Sequence, residues 1–320
     1  MHARSNRVIA LAAMTGVVAF VAILPEIASS YVVAIIISIL SYVALTEAWN
    51  ILSGYTGYFF FGAAAFYGVG QYAGAILMSF TPYYASVALS ASLAFVIACG
   101  LGIVFLRIRG AYFAIGSYAL TAALANVVFY WQSHVARTTG VLVPVQDNST
   151  VMRCMLAIAL VTIGTAYLIK NSKFGLGLFA IRENEDAAET AGVNTTLYKV
   201  VAFGICGLLM GATGAAVVAR LGYVDVFGAF AEYISIYPVV MGLLGGIGTV
   251  VGPIMGAVIV GSIFEVFFGS GDPYPFELGL ALLLICIVQF VPSGFPEMLR
   301  HLSRLVVQSV ETKSIPSVTG

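Results

Sequence analysis

Apolar stretches of about 20 residues recur along the chain, and this recurrence limits its possible folds more than any other feature. A helix of that length crosses the ~30 Å hydrocarbon core of a bilayer. The 320 residues are 61% apolar and only 9% charged, which is too apolar for a soluble domain of this size. About ten membrane spans are therefore predicted, near residues 8–24, 31–52, 57–79, 84–106, 111–131, 151–169, 198–219, 233–249, 251–268 and 276–296.

The predicted fold is an all-α, polytopic helical bundle. A bilayer offers no partner to an unpaired backbone group, and the apolar stretches are too long for barrel strands of about ten residues. We expect one transmembrane domain over residues 1–300 and a disordered cytoplasmic tail over 301–320. The first stretch resembles a signal peptide, but its apolar run is long, so we interpret it as an uncleaved span.

Basic residues set the orientation of the predicted bundle. With the amino terminus inside, 11 of the 14 lysines and arginines lie on one side and three on the other. This split agrees with the positive-inside rule and predicts that both termini are cytoplasmic. The outer residues are Arg137, Arg153 and Arg220, and the inner ones are Arg4, Arg7, Arg107, Arg109, Lys170, Lys173, Arg182, Lys199, Arg300, Arg304 and Lys313.

The longest inner loop, residues 170–197, contains a dense group of charges. Asn184 is a suitable N-cap, and Gly192 suits a left-handed position after the last turn, so a helix of about eight residues is predicted between them. Such a short helix is marginal alone and needs packing against another surface. The five charged residues are Arg182, Glu183, Glu185, Asp186 and Glu189.

Two interpretations of this loop differ in what its helix contacts. A run of charges between spans is commonly a solvated loop. The alternative is insertion into a groove on another protein, with carboxylates meeting basic residues at the rim of that groove. The second interpretation rests on a narrow face of small or apolar residues, formed by Ile181, Ala187, Ala188 and Ala191.

Two segments, 54–74 and 242–261, are rich in glycine. The second has Gly248, Gly252 and Gly256 at four-residue spacing, with Pro253 among them. This spacing permits close helix packing, and it also suits a broken helix that lines a translocation path.

Few side chains within the predicted spans could meet a solute. Intramembrane carboxylates invite a functional interpretation, whereas buried amides commonly tie helices together. No catalytic or metal site is predicted, because the four cysteines are isolated in apolar segments and no HExxH or GxSxG motif is present. The candidate path residues are Glu47, Asn50, Gly62, Gln71, Asn126, Gly248 and Gly252.

The order of motifs resembles a known family. The spacing of Asp186, Ala187, Ala188 and Gly192 resembles the EAA loop of bacterial ABC importer membrane subunits, with Asp186 in the usual Glu position. More narrowly, "KFGLGLFAIRENEDAAETAGVNTTLYKVVAF" (173–203) is similar to LivM-type permeases of branched-chain amino acid importers. Further similar stretches are 52–77, 107–128, 207–224 and 239–259, so the likeness runs from about residue 40 to 295.

This resemblance implies a non-catalytic permease subunit of a bacterial inner-membrane importer for branched-chain or other hydrophobic amino acids. Its expected partners are a homologous second permease, two ATP-binding cassette subunits, an extracytoplasmic solute-binding protein and the lipid bilayer, with no nucleic acid. ATP would be bound by the partner subunits, and the chain itself would need no cofactor. None of its lysines follows a glycine, so a Walker A motif is absent. The coupling residues implied by the resemblance are Arg182, Glu183, Glu185, Asp186, Ala187, Ala188 and Gly192.

Two other functions stay open from the residues alone. The scarcity of fixed charge in the spans also suits urea or short amides as the solute. An ion-coupled secondary transporter would use broken helices too, but it needs a central coupling-ion site. Only Glu47 and Glu265 could supply a carboxylate for one, and each lies toward an end of its span.

Overall fold

The computed structural model describes residues 24–26, 28–268 and 279. The predicted spans near 8–24 and 276–296 lie outside this part of the chain, apart from residues 24 and 279, as do both termini and the tail 301–320. The helices are α1 Ser30–Trp49, α2 Ala63–Leu77, α3 Tyr83–Phe105, α4 Ala111–Tyr130, α5 Asn148–Lys170, α6 Lys173–Glu183, α7 Glu185–Thr190, α8 Thr195–Val218, α9 Val226–Ala229, α10 Glu232–Gly245 and α11 Val251–Phe268.

Shorter pieces complete the fold. A 3-10 turn covers Leu24–Glu26, and π-helical turns extend α1 over Asn50–Gly54 and α4 over Trp131–Ala136. Two strands, β1 Val141–Leu142 and β2 Tyr223–Val224, pair antiparallel with Val141 opposite Val224 and Leu142 opposite Tyr223. This pair lies at the outer end of the bundle, where "outer" and "inner" denote the ends that the basic residues assign to the two sides of the membrane.

Six helices in the described part are long and apolar enough to cross a membrane. The chain is therefore an all-α polytopic bundle, as predicted, but the count between residues 31 and 268 is below the eight spans expected there. The six are Ser30–Gly54, Tyr83–Phe105, Ala111–Ala136, Asn148–Lys170, Thr195–Val218 and Val226–Gly245.

Two of the predicted spans, 57–79 and 251–268, are not among these six helices. The span expected over 57–79 begins with six non-helical residues, so α2 has only 15 residues and a length of about 22 Å. Nearly all of α2 is buried by its neighbours, so it does not need to match the bilayer. The span expected over 251–268 forms as the single helix α11, Val251–Phe268, as predicted.

Helix α8 forms the centre of the bundle and packs against α1, α2, α3 and α5. Small residues allow close approach: a Cβ at Gly70 would lie 2.1 Å from the carbonyl oxygen of Gly211, and one at Gly211 would lie 2.4 Å from Cβ of Ala94. Aromatic rings fill the space beside this contact, with Phe203 5.2 Å from Phe60 between ring centroids. Glycine therefore sets the helix spacing and phenylalanine fills the core.

Side chains satisfy the backbone of the irregular segment 57–62, which is buried at Phe60 and Gly62 and exposed at Gly57 and Phe59. The indole Nε1 of Trp49 donates to the carbonyl of Phe60 at 2.8 Å, and the Phe60 amide donates to Ser53 Oγ at 3.1 Å. The Phe61 amide donates to Ser117 Oγ at 2.9 Å. Non-helical backbone at membrane depth is stable only with such partners, so these side chains make the break possible.

Candidate coupling site at the inner end

The predicted loop helix forms as α7, and its caps are those expected from the sequence. The Asn184 side chain accepts a hydrogen bond from the Ala187 amide at 3.0 Å. Gly192 has a φ of 89°, and the amides of Gly192 and Val193 donate to the carbonyls of Glu189 and Ala188. These two bonds form a Schellman end, which requires a left-handed residue at Gly192. The helix has six residues rather than the eight predicted, because this end closes the last turn early.

The small face of α7 divides between the chain itself and solvent. Ala188 is 4% exposed and Ile181, in the preceding helix α6, is 3% exposed, so both pack inward. Ala187 and Ala191 are exposed. Ala188 is therefore covered by this chain, while Ala187 and Ala191 are the two alanines of the predicted docking face that are exposed.

Glu185 is held by a compact polar cluster. Its carboxylate lies 2.7 Å from Lys199 Nζ and accepts a hydrogen bond from the Tyr58 hydroxyl at 2.5 Å. Lys199 also donates to the carbonyl of Leu106 at 2.9 Å, and its side chain is 4% exposed. Burial would raise the pKa of Glu185, but the hydrogen bonds from Lys199 and Tyr58 hold it below its ordinary value. The cluster therefore ties the start of α7 to α8.

Arg109 brings a second basic group to the same helix from the connection between α3 and α4. Its guanidinium lies 2.8 Å from the Asp186 carboxylate and 3.4 Å from that of Glu185. Arg109 and Asp186 are both largely exposed. The carboxylates that were expected to meet basic residues of a partner protein thus pair with this chain's own residues.

Two non-helical breaks, 57–62 and 246–250, interrupt the glycine-rich segments. Arg182, in the last turn of α6, lies between them. Its Nη1 donates to the carbonyl of Gly54 at 2.7 Å. A Cβ at Gly57 would lie 3.2 Å from Arg182 Cγ, and one at Gly248 would lie 2.6 Å from Arg182 Nη1. Both glycines have positive φ, 77° and 80°. One side chain of the charged loop therefore lies against the start of the first break, 57–62, and the middle of the second, 246–250.

Asn50 ties the second break, from within the bundle, to the π-helical turn at the end of α1. Its Nδ2 donates to the carbonyl of Thr249 at 2.7 Å, and its Oδ1 accepts from the Gly248 amide at 2.9 Å. Asn50 is fully buried, as is Glu47, one turn earlier. One carboxylate oxygen of Glu47 lies 3.4 Å from Asn50 Nδ2, and the other has no hydrogen-bond partner among the described residues.

The other candidate path glycines mark close backbone contacts. A Cβ at Gly62 would lie 2.5 Å from the Ser117 carbonyl oxygen, so this position sets the distance between the first break and α4. A Cβ at Gly252 would lie 2.1 Å from the Gly245 carbonyl oxygen, where α10 and α11 meet. Thr249 caps α11 by accepting the Gly252 amide at 3.1 Å. The segment 242–261 thus combines tight packing with a break at 246–250.

Gln71 and Asn126 lie away from this inner group and away from each other. Gln71 is 3% exposed and forms part of a pocket between α1, α2 and α10. Asn126 is exposed on α4, and its side chain donates to the Ala122 carbonyl of its own helix. The seven candidate path residues therefore do not form one site.

A cleft of about 760 Å³ opens beside the charged loop. The segment 56–61, the start of α4 and the last turns of α10 form its walls. Arg109, Arg182 and Glu185 line one side, while Phe59 and Leu243 are among its apolar residues. The cleft connects the loop's charged anchors with both helix breaks.

Three residues of this site were missed as functional candidates in the sequence. Lys199 carries a detectable signal, since it is a lone lysine close to the start of an apolar span. Tyr58 and Thr249 carry none, because their roles depend on which loops meet at the inner end. Only the fold brings them to Glu185 and Asn50.

Comparison with known proteins assigns the family. Residues 27–289 match the family described as branched-chain amino acid transport system / permease component, and this match covers most of the chain. The chain belongs to this family. Its members are permease components of ABC importers. With its apolar helices, the protein is a multi-pass protein of the inner membrane.

Individual relatives are named as sugar permeases. The fructose import permease FrcC of Rhizobium meliloti is 34% identical over 129 residues, 38% of this chain and 35% of that protein. The ribose import permease RbsC of Escherichia coli K12 is 29% identical over 150 residues, 46% of this chain and 44% of that protein. The xylose permease XylH of the same strain is 32% identical over 128 residues, 39% of this chain and 33% of that protein.

The chain thus spans less than half the length of these curated relatives. No solved structure matches it. The family description names branched-chain amino acids, whereas the relatives' names are those of sugar permeases, so the narrower LivM-type resemblance is not shown.

Proposed function

We propose that this chain is the membrane-spanning subunit of an ATP-driven importer and that it couples solute transport to ATP hydrolysis through its 182–194 loop. The observation that carries the proposal is the position of Arg182, which contacts Gly54 just before the break at 57–62 and approaches Gly248 in the break at 246–250. A loop joined to two breaks can transmit a displacement to both at once.

The coupling begins outside this chain. Two ATP-binding cassette subunits bind ATP, and each receives one short loop helix at the inner face of a permease pair. The second permease is a homologue of this chain, and a solute-binding protein delivers solute at the outer face. Closure of the ATPase pair moves α7, and Arg182 and Glu185 carry this movement to the breaks and to α8. This chain supplies half of the path and no catalytic group.

The solute is small and carries no net charge, in keeping with the few fixed charges inside the bundle. Branched-chain or other hydrophobic amino acids are favoured by the family description and by the motifs over residues 173–203. Sugars are the second candidate, favoured by the names of the relatives. Urea and short amides fit the same scarcity of charge.

Replacing Arg182 tests the proposed coupling. In proteoliposomes containing the complete importer, Arg182→Gln removes the bond to the Gly54 carbonyl and leaves α7 with its Glu185 anchor. We expect the ATPase subunits still to bind, while solute taken up per ATP hydrolysed falls about ten-fold. L-leucine, D-ribose and D-xylose are each supplied as the solute.

Lys173→Gln is the matched control, because it removes a positive charge from an exposed position of the same helix. Uptake per ATP that is unchanged in Arg182→Gln, or reduced equally in Lys173→Gln, contradicts the coupling role. Uptake that persists without any ATPase subunit would instead assign an ion-coupled secondary transporter.

A further inference from the structure

A pocket of about 470 Å³ lies among α1, α2, α10 and the connection that contains β2. Its volume falls within the roughly 300–1,000 Å³ of small-molecule sites. It is distinct from the cleft beside the charged loop, with which it shares no residue. Its polar lining residues are Ser38, Ser41, Tyr42, Tyr67, Gln71, Tyr223, Asp225, Tyr233 and Tyr237.

The pocket concentrates neutral hydrogen-bonding groups in a bundle that is otherwise apolar. Hydroxyls from α1, α2 and α10 and one amide contribute to its wall. The amide belongs to Gln71, which is 3% exposed and whose carbonyl oxygen has no hydrogen-bond partner among the described residues. A buried acceptor without a donor costs about 1–3 kcal/mol, so a hydroxyl-bearing ligand that paired with it would recover that energy.

Tyrosine rings give the pocket an apolar surface beside these polar groups. The Tyr233 and Tyr237 rings lie 5.3 Å apart between centroids, and Tyr42 lies 5.9 Å from Tyr237 edge to face. A tyrosine side chain combines a flat apolar body with a polar tip. This combination suits a ligand with both C–H faces and hydroxyls.

The charges in the lining exclude other ligand classes. Asp225 is the one charged residue among the lining residues, and its carboxylate already accepts the amides of Phe227 and Gly228 at 3.1 and 3.3 Å. No lysine, arginine or histidine belongs to the lining, and nearby Arg220 donates instead to the Ala34 carbonyl. A solute carboxylate would be unpaired here, which disfavours anions and zwitterionic amino acids.

We infer that this pocket binds a neutral polyhydroxylated solute of monosaccharide size during passage through the outer half of the bundle. The inference rests on the proposed transport function and selects sugars from its candidate solutes. Gln71 accepts a hydrogen bond from a solute hydroxyl, and the tyrosine rings supply apolar contact.

Protection of an introduced thiol tests the inference. Ser38→Cys places a cysteine in the pocket wall of the full chain, and the rate of its modification by a small thiol reagent is measured in proteoliposomes that hold the complete importer without ATP. We expect D-ribose or D-xylose at saturating concentration to slow the reaction about ten-fold, and L-leucine to leave it unchanged. Ser133→Cys, exposed at the outer end of the same membrane side and outside the pocket, is the control and shows no protection.

A second variant assigns the recognition to Gln71. Gln71→Met keeps the side-chain size and removes the amide. We therefore expect half-protection of Ser38→Cys to need about ten-fold more sugar, and this change in affinity corresponds to ~1.4 kcal/mol. If that variant does not assemble, Tyr67→Phe removes a neighbouring hydroxyl by a smaller change and is expected to raise the same concentration.

Three outcomes overturn the inference. They are protection of Ser38→Cys by L-leucine as well as by sugars, protection by neither, and equal protection of Ser133→Cys. Because the readout needs no ATP, each of these outcomes leaves the Arg182 coupling test unaffected. Conversely, intact uptake per ATP in Arg182→Gln would contradict the proposed coupling without changing the protection result.

Discussion

The two faces of the charged loop differ in what holds them. On the bundle side, Arg182, Glu185 and Ala188 all contact other parts of this chain. On the opposite side, Ala187 and Ala191 are exposed, and a Cβ added at Gly192 would meet no atom of the described residues within 4 Å. The charges therefore anchor the loop, and the small residues leave a surface open to a partner.

Substitutions on the two faces should therefore impair the transporter in two different ways. Loss of a bundle-side contact should detach the loop from the path and reduce the stability of the chain itself. A change on the open side should leave the chain folded and impair only what docks there. Stability measured beside transport can therefore distinguish the two faces.

The largest effect is expected at Lys199. Lys199→Met removes the cation that pairs with Glu185 and leaves that carboxylate, whose side chain is 12% exposed, without its main partner. Removing one member of a buried ion pair costs about 3–5 kcal/mol. We expect the free energy of unfolding to fall by about 3 kcal/mol. It is measured by titrating the full chain with a denaturing detergent.

Two controls sharpen this prediction. Lys173→Met changes the same residue type at an exposed position and is expected to have little effect on stability. Adding Glu185→Gln to Lys199→Met removes the unpaired charge and should restore part of the loss. Equal stability of Lys199→Met and Lys173→Met would contradict the anchoring role of the pair.

The sequence predicted the caps of α7 but could not predict its orientation. Asn184 and Gly192 act through bonds within a few residues, so local patterns were sufficient to predict them. Which side of the helix faces the bundle depends on Arg109, Tyr58 and Lys199, which are distant in sequence. A helical wheel shows that small residues cluster, but it does not show what covers them.

The breaks illustrate the same limit. Glycine density predicted irregular backbone near 54–74 and 242–261, and non-helical segments occur at 57–62 and 246–250. Their contact through Asn50 and Arg182 depends on the packing of α1, α6 and α10 at one end of the bundle. The length of α2 was also overestimated, because hydropathy does not distinguish an irregular apolar segment from a helix.

Acidification tests the bundle-side face without a substitution. Because the pKa of Glu185 is lowered in the folded protein, its ionised form contributes stability at pH values above the ordinary carboxyl pKa of roughly 4.3. That contribution is lost as the pH falls through the lowered pKa. We expect proteolysis of the 182–194 loop to be constant from neutral pH down to that range and to accelerate below it.

The control for the acid response is Glu185→Gln, which cannot lose a charge at this position. Its loop should be cut faster than the wild-type loop at neutral pH, and its rate should change less on acidification. An acid-induced increase of the same size in both proteins would contradict the assignment of the response to Glu185.

A smaller effect is expected on the open side, at Gly192. Gly192→Val places a β-branched residue at a φ of 89°, which costs roughly 1–2 kcal/mol, while the surrounding space is open. We expect the chain to stay folded, and solute-stimulated ATPase and uptake to fall together. Gly192→Asn is the matched control, since asparagine tolerates left-handed backbone, and it should retain most activity. Unchanged activity in Gly192→Val would contradict docking through this end.

The smallest effect is expected at Arg109. Its substitution tests whether an exposed and a buried ion pair of the same helix contribute differently to stability. Arg109→Gln removes the pair with Asp186, in which both side chains are more than half exposed. Such pairs contribute about 0–1 kcal/mol and weaken with salt, so the loss of stability should be slight and should vanish at high ionic strength. Unfolding measured at low and high salt checks this. A loss as large as that of Lys199→Met would show that burial does not decide which contact anchors the loop, because both basic residues approach the same carboxylate of Glu185.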